Sequence, residues 1–177
     1  MTEPENADLL KKTLLKNNPE KALSIVNDEL FKNGEKNIPL KVFLGVLNLR
    51  SGVLTTFNAN YIDPVIKSKN GNISFVKGPF ILRLGAYSDT SFIPLPLSLN
   101  AGDKLYFYSN DILEVKNSKG EKYGGERLLN VISSCGDDVK KGIDSVRKDM
   151  VDFTGENTFD ADIAIAVLKY TPAASAE

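Results

Sequence analysis

The stretch from Gly102 to Leu129 places a turn, a short apolar run, a polar cluster and a helix start in immediate succession. Gly102 and Asp103 form the turn, and the apolar residues 105–108 predict a buried strand. The acidic and amide side chains that follow this strand are Asn110, Asp111 and Glu114. Polar groups at the end of a buried strand are a usual place for chemistry. The stretch therefore predicts a candidate site where the strand ends and a helix follows.

Helical and strand patterns occupy separate blocks of the chain. The predicted helices cover residues 7–16, 19–32, 125–133 and 137–153, and the predicted strands cover 40–49, 53–58, 61–67, 73–76, 82–84, 92–99, 105–108 and 162–170. This order favours an α+β fold in which helices pack on a largely antiparallel sheet. We expect one domain over residues 1–177, with disordered tails at residues 1–6 and 171–177.

Local signals predict how several of these elements begin and pack. Asn18 followed by Pro19 is a typical helix start. Residues 40–49 are apolar at nearly every position, which predicts a strand covered on both faces. Residues 162–170 are also almost wholly apolar and predict a central strand. Two prolines within residues 92–99 indicate an edge strand, because proline cannot donate a hydrogen bond to a neighbouring strand.

The composition excludes several classes of function. The chain has 22 Lys and Arg residues and 23 Asp and Glu residues, for a net charge of -1. This balance gives no electrostatic case for binding nucleic acid or an anionic membrane. No apolar run approaches the roughly 20 residues that span a bilayer, and the acidic N-terminal sequence MTEPENAD is unlike a secretory signal. With a single cysteine, Cys135, no intrachain disulfide forms, and we expect a cytoplasmic protein.

The chain contains no histidine. This absence removes Ser-His-Asp and Cys-His catalysis and zinc sites built on imidazole. One cysteine also cannot build a thiolate cage around a metal ion. Any bound metal would therefore be a hard cation, held by oxygen atoms of Asp, Glu, Asn and water.

Five segments, in order along the chain, resemble the motifs of one family. Residues 102–114 (GDKLYFYSNDILE) are similar to the pattern G-D-x-L-x-x-Y-T-D-G-x-x-E of the bacterial SpoIIE/RsbU-type serine phosphatases, members of the metal-dependent protein phosphatase 2C (PP2C) superfamily. The other segments are residues 19–30, which resemble the family's S-P-x-x-x-L-x-x-L-N-x-x-L helix; 57–61, which stand where it has N-A-G-H; 122–128, which resemble F-G-x-E-R-L; and 160–164, which stand where it has D-D-I-T. The resemblance covers residues 8–170.

The resemblance implies a PP2C-like β-sandwich of mainly antiparallel strands flanked by helices, here without the family's N-terminal strands. In the family, aspartates at the edge of the sandwich hold two Mn²⁺ or Mg²⁺ ions, which activate a water for attack on a phosphoserine. That phosphoserine belongs to an anti-sigma-factor antagonist, and its dephosphorylation controls sigma-factor release by partner switching. The resemblance therefore implies a bacterial signalling protein whose partner is such an antagonist.

The metal-ligand positions of the family are altered or missing in this sequence. The aspartate of Y-T-D-G corresponds to Asn110, and the glycine after it corresponds to Asp111. The first aspartate of D-D-I-T corresponds to Ala161, whereas Asp162 matches the second aspartate, which is not a ligand. No counterpart of the family's N-terminal G-D-x-x-D aspartates occurs. A shift of one residue would bring Asp160 toward the site, but the apolar pattern after Asp162 argues against it.

Changes at every mapped ligand position predict a domain without a two-metal centre, because each lost carboxylate weakens a site for a hard dication. We therefore predict a pseudophosphatase that needs no cofactor and acts by protein binding. Two alternatives remain. Asp111, Glu114, Asp160 and Asp162 could hold one weakly bound cation, or the chain could be part of an active Mn²⁺- or Mg²⁺-dependent phosphatase whose first aspartates lie upstream.

Other conspicuous residues are expected to serve structure or assembly. We expect Arg127 either to be solvated or to pair with an acid, Cys135 to pack at a helix end, and Asp137 and Asp138 to stabilise a helix N-terminus. A sheet without its N-terminal strands would have an open edge, and open edges recruit another strand. We therefore also expect a homodimer or a partner interface at that edge.

Overall fold

The computed structural model describes residues 3–16, 18–33, 40–79 and 82–173. The helices are α1 (Glu3–Leu14), α2 (Pro19–Lys32), α3 (Asp111–Glu114), α4 (Gly124–Ser134) and α5 (Val139–Thr154). The strands are β1 (Val42–Leu47), β2 (Val53–Ala59), β3 (Val65–Lys67), β4 (Ile73–Phe75), β5 (Leu95–Ser98), β6 (Lys104–Tyr108) and β7 (Ile165–Lys169). All neighbouring strands pair antiparallel, which confirms the predicted α+β class. Within the described ranges, no helix has the length and apolar character needed to cross a membrane.

The chain divides into two compact units. The first comprises residues 1–48, 53–61 and 77–98, and it contains α1, α2 and a sheet of order β1-β2-β5. The second comprises residues 49–52, 62–76 and 99–177, and it contains α3, α4, α5 and a sheet of order β4-β3-β6-β7. A single domain over residues 1–177 stays a prediction. Of the predicted tails, residues 1, 2 and 174–177 lie outside the described residues.

Both N-terminal helices begin at features that favour a helix start. The side chain of Asn18 accepts a hydrogen bond from the backbone N–H of Lys21 (2.9 Å), and Pro19 follows it at the start of α2, as predicted. α1 begins at Glu3, so the prediction of a disordered tail is wrong for residues 3–6. Glu5 adds a carboxylate to the first turn of α1, where negative charge interacts favourably with the helix dipole.

The apolar face of α2 forms the core of the first unit. Leu23, Val26 and Leu30 are at most 2% exposed, and they lie in one cluster with Phe57 of β2 and with Phe92. Full burial of a side chain of this size contributes about 1.5–3 kcal/mol relative to exposure. The helical spacing of these residues therefore explains both why α2 forms and how it attaches to the sheet.

Asn27 joins α2 to the segment that precedes β5. The residue is 1% exposed. Its Nδ2 donates a hydrogen bond to the carbonyl of Tyr87 (2.8 Å), and its Oδ1 accepts one from the N–H of Gly85 (3.0 Å). Gly85 has a φ of 81°, and a Cβ at this position would lie 2.8 Å from the Cβ of Leu30. Both the backbone conformation and the close approach to α2 therefore require glycine here.

Strand position within the sheets departs from the sequence predictions in two places. β1 lies at an edge of its sheet and Val46 is 46% exposed, so the prediction that both faces of residues 40–49 are covered is wrong. β7, within residues 162–170, is an edge strand rather than a central one. An apolar run indicates burial, but the choice of neighbours depends on pairing with distant strands. β5 is an edge strand, as its prolines predicted.

β6 is an internal strand of the second sheet and leads directly to the candidate site. It pairs with β3 on one side and with β7 on the other. Leu105, Tyr106 and Tyr108 of this strand are at most 1% exposed. The helices α4 and α5 contribute Leu128, Ile132, Val146 and Met150 to the same core. Burial on this scale fixes the position of β6 and therefore of the polar residues at its two ends.

Candidate functional site

The end of β6 is tied to the segment that precedes β7. The backbone N–H of Ser109 donates to the carbonyl of Ala164 (2.9 Å), and the N–H of Ala164 donates to the hydroxyl of Ser109 (3.0 Å). Helix α3 follows, and Ile112 anchors it in the core with 0% exposure. These contacts bring residues 109–114 beside residues 160–164.

A cavity of about 340 Å³ opens at this end of β6. Four carboxylate side chains from α3 and from the segment after α5 line it: Asp111, Glu114, Glu156 and Asp160. The remaining lining residues are Val115, Lys116, Thr154, Thr158, Phe159 and Ala161. We refer to this site as the acidic cavity.

The structure brings some of the predicted site residues together. Asp111, Glu114 and Asp160 share the acidic cavity with Ala161. Asp162 is exposed and is not one of the residues that line the cavity. Asn110 is also exposed, and its side chain makes no capping hydrogen bond at the start of α3.

Sequence reasoning missed six residues that line the acidic cavity, and three of them come from one turn. Thr154, Glu156 and Thr158 lie at and after the end of α5, in a segment that carries no recognisable motif. Gly155 ends α5 in the left-handed conformation, with a φ of 76°. A glycine directly after an apolar helical stripe is a known signal for such a helix end. This signal predicts a turn at residue 155, but it does not predict which side chains of the turn reach the cavity.

The carboxylates of the acidic cavity are exposed to solvent, and one of them forms an ion pair with a lysine. Glu114 forms an ion pair with Lys122 (2.6 Å) and keeps 49% of its side chain exposed. Asp111 and Asp160 are exposed as well. Lys116 adds a positive charge to the cavity wall. Water screens exposed charges, so they bind an ion strongly only where several of them converge on one point.

A two-metal centre requires several oxygen ligands that converge on two metal positions. Among the residues that the structure describes, no three acidic or cysteine side chains lie close enough together to hold a metal ion. Ala161 offers no side-chain oxygen, and Asn110 offers a neutral amide, at the two positions that the sequence resemblance maps to metal ligands. These residues therefore do not fit the two-metal centre of the family.

Arg127, the arginine of the segment that resembles F-G-x-E-R-L, pairs with an acid, which is one of its two expected arrangements. Its Nε and Nη2 donate to the two carboxylate oxygens of Asp149 at 2.7 and 3.0 Å. Its guanidinium carbon lies 4.7 Å from the ring centre of Phe153 and 5.6 Å from that of Tyr123. Partial burial alone would raise the pKa of Asp149, but the hydrogen bonds from Arg127 lower it. The arrangement joins α4 to α5 and engages the guanidinium in a structural role.

The region between α4 and α5 also contains the other residues expected to be structural. Cys135 is buried, and its thiol lies 3.3 Å from a carbonyl oxygen of α4, as expected for a packed residue. Asp138 caps α5 by accepting a hydrogen bond from a backbone N–H of that helix (2.9 Å). Asp137, predicted for the same role, instead contacts the ammonium groups of Lys104 and Lys169. These lysines lie on distant strands, so local sequence could not predict the contact.

Comparison with known proteins adds a family to this geometry. A family model described as Stage II sporulation protein E (SpoIIE) matches residues 8–171. No curated protein matches the chain. Among solved structures, the RsbU and RsbW domains of a Mycobacterium tuberculosis protein match with a TM-score of 0.73 and 18% identity, over 96% of this chain and 47% of that one. The PP2C phosphatase domain of SpoIIE from Bacillus subtilis, with a fragment of its regulatory domain, matches with a TM-score of 0.73 and 16% identity, over 93% and 49%.

RsbX in complex with magnesium also matches, with a TM-score of 0.62 and 9% identity, over 93% of this chain and 69% of that one. At these identities the likeness shows the fold, and it confirms the predicted PP2C-like class. The chain spans about half the length of the first two structures. Because the family model covers nearly the whole sequence, the chain belongs to the SpoIIE family.

Proposed function

We propose that this chain is a SpoIIE/RsbU-like domain of bacterial sigma-factor regulation that acts by binding a protein partner and lacks phosphatase activity. The proposed partner is an anti-sigma-factor antagonist, and the proposed location is the cytoplasm. One observation carries the proposal. Ala161, which the sequence resemblance maps to a metal-ligand position of the family, lines the acidic cavity, and Asn110, mapped to another such position, directly precedes the lining residue Asp111.

Hydrolysis of a phosphoserine in this family depends on metal charge. The two cations offset the negative charge of the phosphoryl group and supply the nucleophile. Without them, the phosphate dianion would meet the carboxylates of Asp111, Glu114, Glu156 and Asp160. Like charges repel, and the single ammonium group of Lys116 does not offset four carboxylates. Without metal ions, the acidic cavity therefore disfavours binding of the phosphorylated substrate as well as its hydrolysis.

The contacts that hold the site in place support a retained binding role. The paired hydrogen bonds between Ser109 and Ala164 hold the end of β6 beside the segment before β7. The two hydrogen bonds from Arg127 to Asp149 join α4 to α5, the helix whose last residue, Thr154, lines the cavity. Protein docking depends on a surface of defined shape and charge rather than on metal chemistry. The negative charge of the cavity favours a partner that presents Lys or Arg side chains to it.

A turnover assay with matched variants tests the proposal. We expect no hydrolysis of a phosphoserine peptide above the buffer rate in the presence of Mn²⁺, while a purified antagonist protein still binds the chain. Asp111→Ala removes a carboxylate of the acidic cavity, and Asp144→Ala removes an exposed carboxylate of α5 that lies outside it. Turnover that Asp111→Ala abolishes and Asp144→Ala preserves would contradict the proposal.

The alternative is an active Mn²⁺- or Mg²⁺-dependent phosphoserine phosphatase whose first aspartates lie upstream of this sequence. The observation in its favour is that Asp111, Glu114 and Asp160 line one cavity. A longer chain that includes upstream residues would then show metal-dependent turnover. Loss of that turnover on Asp111→Ala would establish the alternative, and its absence from the longer chain would remove it.

We also propose that the edge of the first sheet supports self-association. β1 lies at this edge, and Val46 is 46% exposed. A strand at the edge of a sheet can add a strand from a second copy of the chain. Light scattering at increasing concentration should show a dimer, and Val46→Lys should shift it toward the monomer because a charged edge residue disfavours pairing. An unmodified chain that stays monomeric at every concentration would contradict this proposal.

A further inference from the structure

The start of β6 carries a second cavity, at the end of the strand away from the acidic cavity, with a volume of about 590 Å³. Four lysines and a single carboxylate are among its lining residues: Lys67, Lys69, Lys104, Lys169 and Asp137. We refer to it as the basic cavity. No lining residue is shared between the basic and the acidic cavity.

Three of these lysines form a row across neighbouring strands. In the register of the sheet, Lys67 of β3 lies directly opposite Lys104 of β6. On the other side, Lys104 lies directly opposite Lys169 of β7. Like charges in directly opposite positions destabilise a sheet. The row is therefore unfavourable unless protein groups or a ligand compensate its charge.

Protein groups compensate the charge of Lys67 with neutral acceptors. Its Nζ donates to the carbonyls of Ile132 (3.0 Å), Ser133 (2.6 Å) and Cys135 (2.5 Å). These carbonyls lie at and just beyond the C-terminal end of α4, where helix carbonyls carry only partial negative charge. Burial lowers the pKa of Lys67, and the neighbouring charge of Lys104 lowers it further.

The remaining two lysines of the row share one carboxylate. The Nζ of Lys169 lies 2.5 Å from Oδ2 of Asp137, and the Nζ of Lys104 lies 3.4 Å from Oδ1. Lys104 also donates to the carbonyl of Gly136 (2.6 Å), and its side chain is only 6% exposed. The row thus has three ammonium groups, two of which contact the single carboxylate, and it keeps an excess of positive charge.

We propose that the basic cavity binds a small phosphate-bearing anion with two or more negative charges. An ammonium group has three N–H donors, so Lys104 and Lys169 retain donors after the contacts above. The stem of Lys69 packs at Gly102, where a Cβ would lie 3.1 Å from Cδ of that lysine, and adds a fourth cation. The volume lies within the range of small-molecule sites, about 300–1,000 Å³. It accommodates pyrophosphate or the diphosphate of a nucleotide.

Calorimetric titration of the whole chain with pyrophosphate, at constant ionic strength, tests this proposal. We expect saturable binding, and about tenfold weaker binding by Lys69→Gln/Lys169→Gln because two charge-assisted contacts are lost. Lys148→Gln is the matched control, since Lys148 forms an ion pair with Asp152 on α5, outside the cavity. Circular dichroism checks that every variant is folded. Absence of saturable binding to the unmodified chain, or equal binding by the double variant and the control, would overturn the proposal.

Asp137→Asn gives a test of opposite sign. Asp137 competes with an anion for the ammonium groups of Lys104 and Lys169, so its neutralisation should tighten pyrophosphate binding several-fold. If the lysines only compensated the carbonyls of α4, Asp137→Asn would bind pyrophosphate no more tightly than the unmodified chain. Unchanged or weaker binding would overturn the proposal. A parallel titration with ADP identifies the source of the phosphate groups. Tighter binding of ADP than of pyrophosphate supports a nucleotide ligand, and the reverse order supports an inorganic one.

Discussion

The two ends of β6 hold charge in different ways. At the start of the strand, Lys104 and Asp103 are 5% and 3% exposed, and both are hydrogen-bonded to protein groups. Beyond its other end, Asp111 and Glu114 are exposed, and the ion pair of Glu114 lies at the surface. Buried, hydrogen-bonded charges are held in one geometry, whereas exposed charges are screened by water. Fixed charge is therefore concentrated at the end of β6 that lies away from the expected metal site.

Asp103 shows that part of the family-like motif serves to build the strand. Its Oδ1 accepts a hydrogen bond from the N–H of Lys69 (2.9 Å), and its Oδ2 accepts one from the N–H of Asn100 (2.8 Å). The carboxylate thus joins the turn between β3 and β4 to the turn before β6. The G-D pair of the motif has this structural use whether or not a metal binds at the other end of the strand.

The largest expected effect is the loss of Asp103. Asp103→Ala removes two hydrogen bonds that a buried carboxylate accepts from backbone N–H groups, and we expect it to lower the free energy of unfolding by about 3 kcal/mol. Asp111→Ala, at the exposed end, should cost less than about 0.5 kcal/mol. Urea unfolding of both variants measures the contrast. Similar losses of unfolding free energy in Asp103→Ala and Asp111→Ala would contradict the difference between the two ends of β6.

A smaller loss of stability is expected at Arg127, which joins α4 to α5. Its side chain is 40% exposed, so solvent screening reduces the value of its ion pair with Asp149. We expect Arg127→Ala to lower the free energy of unfolding by about 1.5 kcal/mol, from the bidentate pair and the contact with Phe153. Arg147→Ala, at an exposed position of the same unit, is the control and should be nearly neutral. An equally small effect of both substitutions would show that the pair does not hold the helices together.

The same pair predicts a dependence on pH. The pKa of Asp149 is lowered in the folded chain. The ionised carboxylate therefore stabilises the fold fully at pH values above its pKa in the unfolded chain, about 3.9. It is lost as the pH falls through the lower, folded pKa. In urea unfolding, the free energy of unfolding of the unmodified chain should exceed that of Arg127→Ala at pH 5, and this difference should shrink as the pH is lowered further. A difference that stays constant or grows on acidification would contradict this assignment.

The smallest expected effect is a gain of metal affinity. Asn110→Asp/Ala161→Asp places carboxylates at the two mapped ligand positions and should strengthen Mn²⁺ binding several-fold. Ser118→Asp/Asn130→Asp adds the same charge at exposed positions outside the acidic cavity and is the control. Calorimetric titration compares the two variants. Equal gains would mean that total charge, rather than position, determines the affinity.

Local signals predicted local structure well. Asn18 and Asp138 cap their helices as expected, because a cap depends on residues within one turn. The edge position of β7 could not be predicted, because it depends on which distant strands pair. The same limit applies to the site. Asp111 and Asp160, which lie in segments that resemble family motifs, line one cavity. Glu156 lines the same cavity but comes from a segment without a motif.

Calorimetric titration of the unmodified chain with Mn²⁺ tests the central claim most directly. Because the exposed carboxylates do not converge on one point, we expect no saturable Mn²⁺ binding with a Kd below about 1 mM. Two Mn²⁺ ions bound at micromolar concentration, with at least one of them lost in Asp111→Ala, would contradict the claim and establish a metal centre in the acidic cavity.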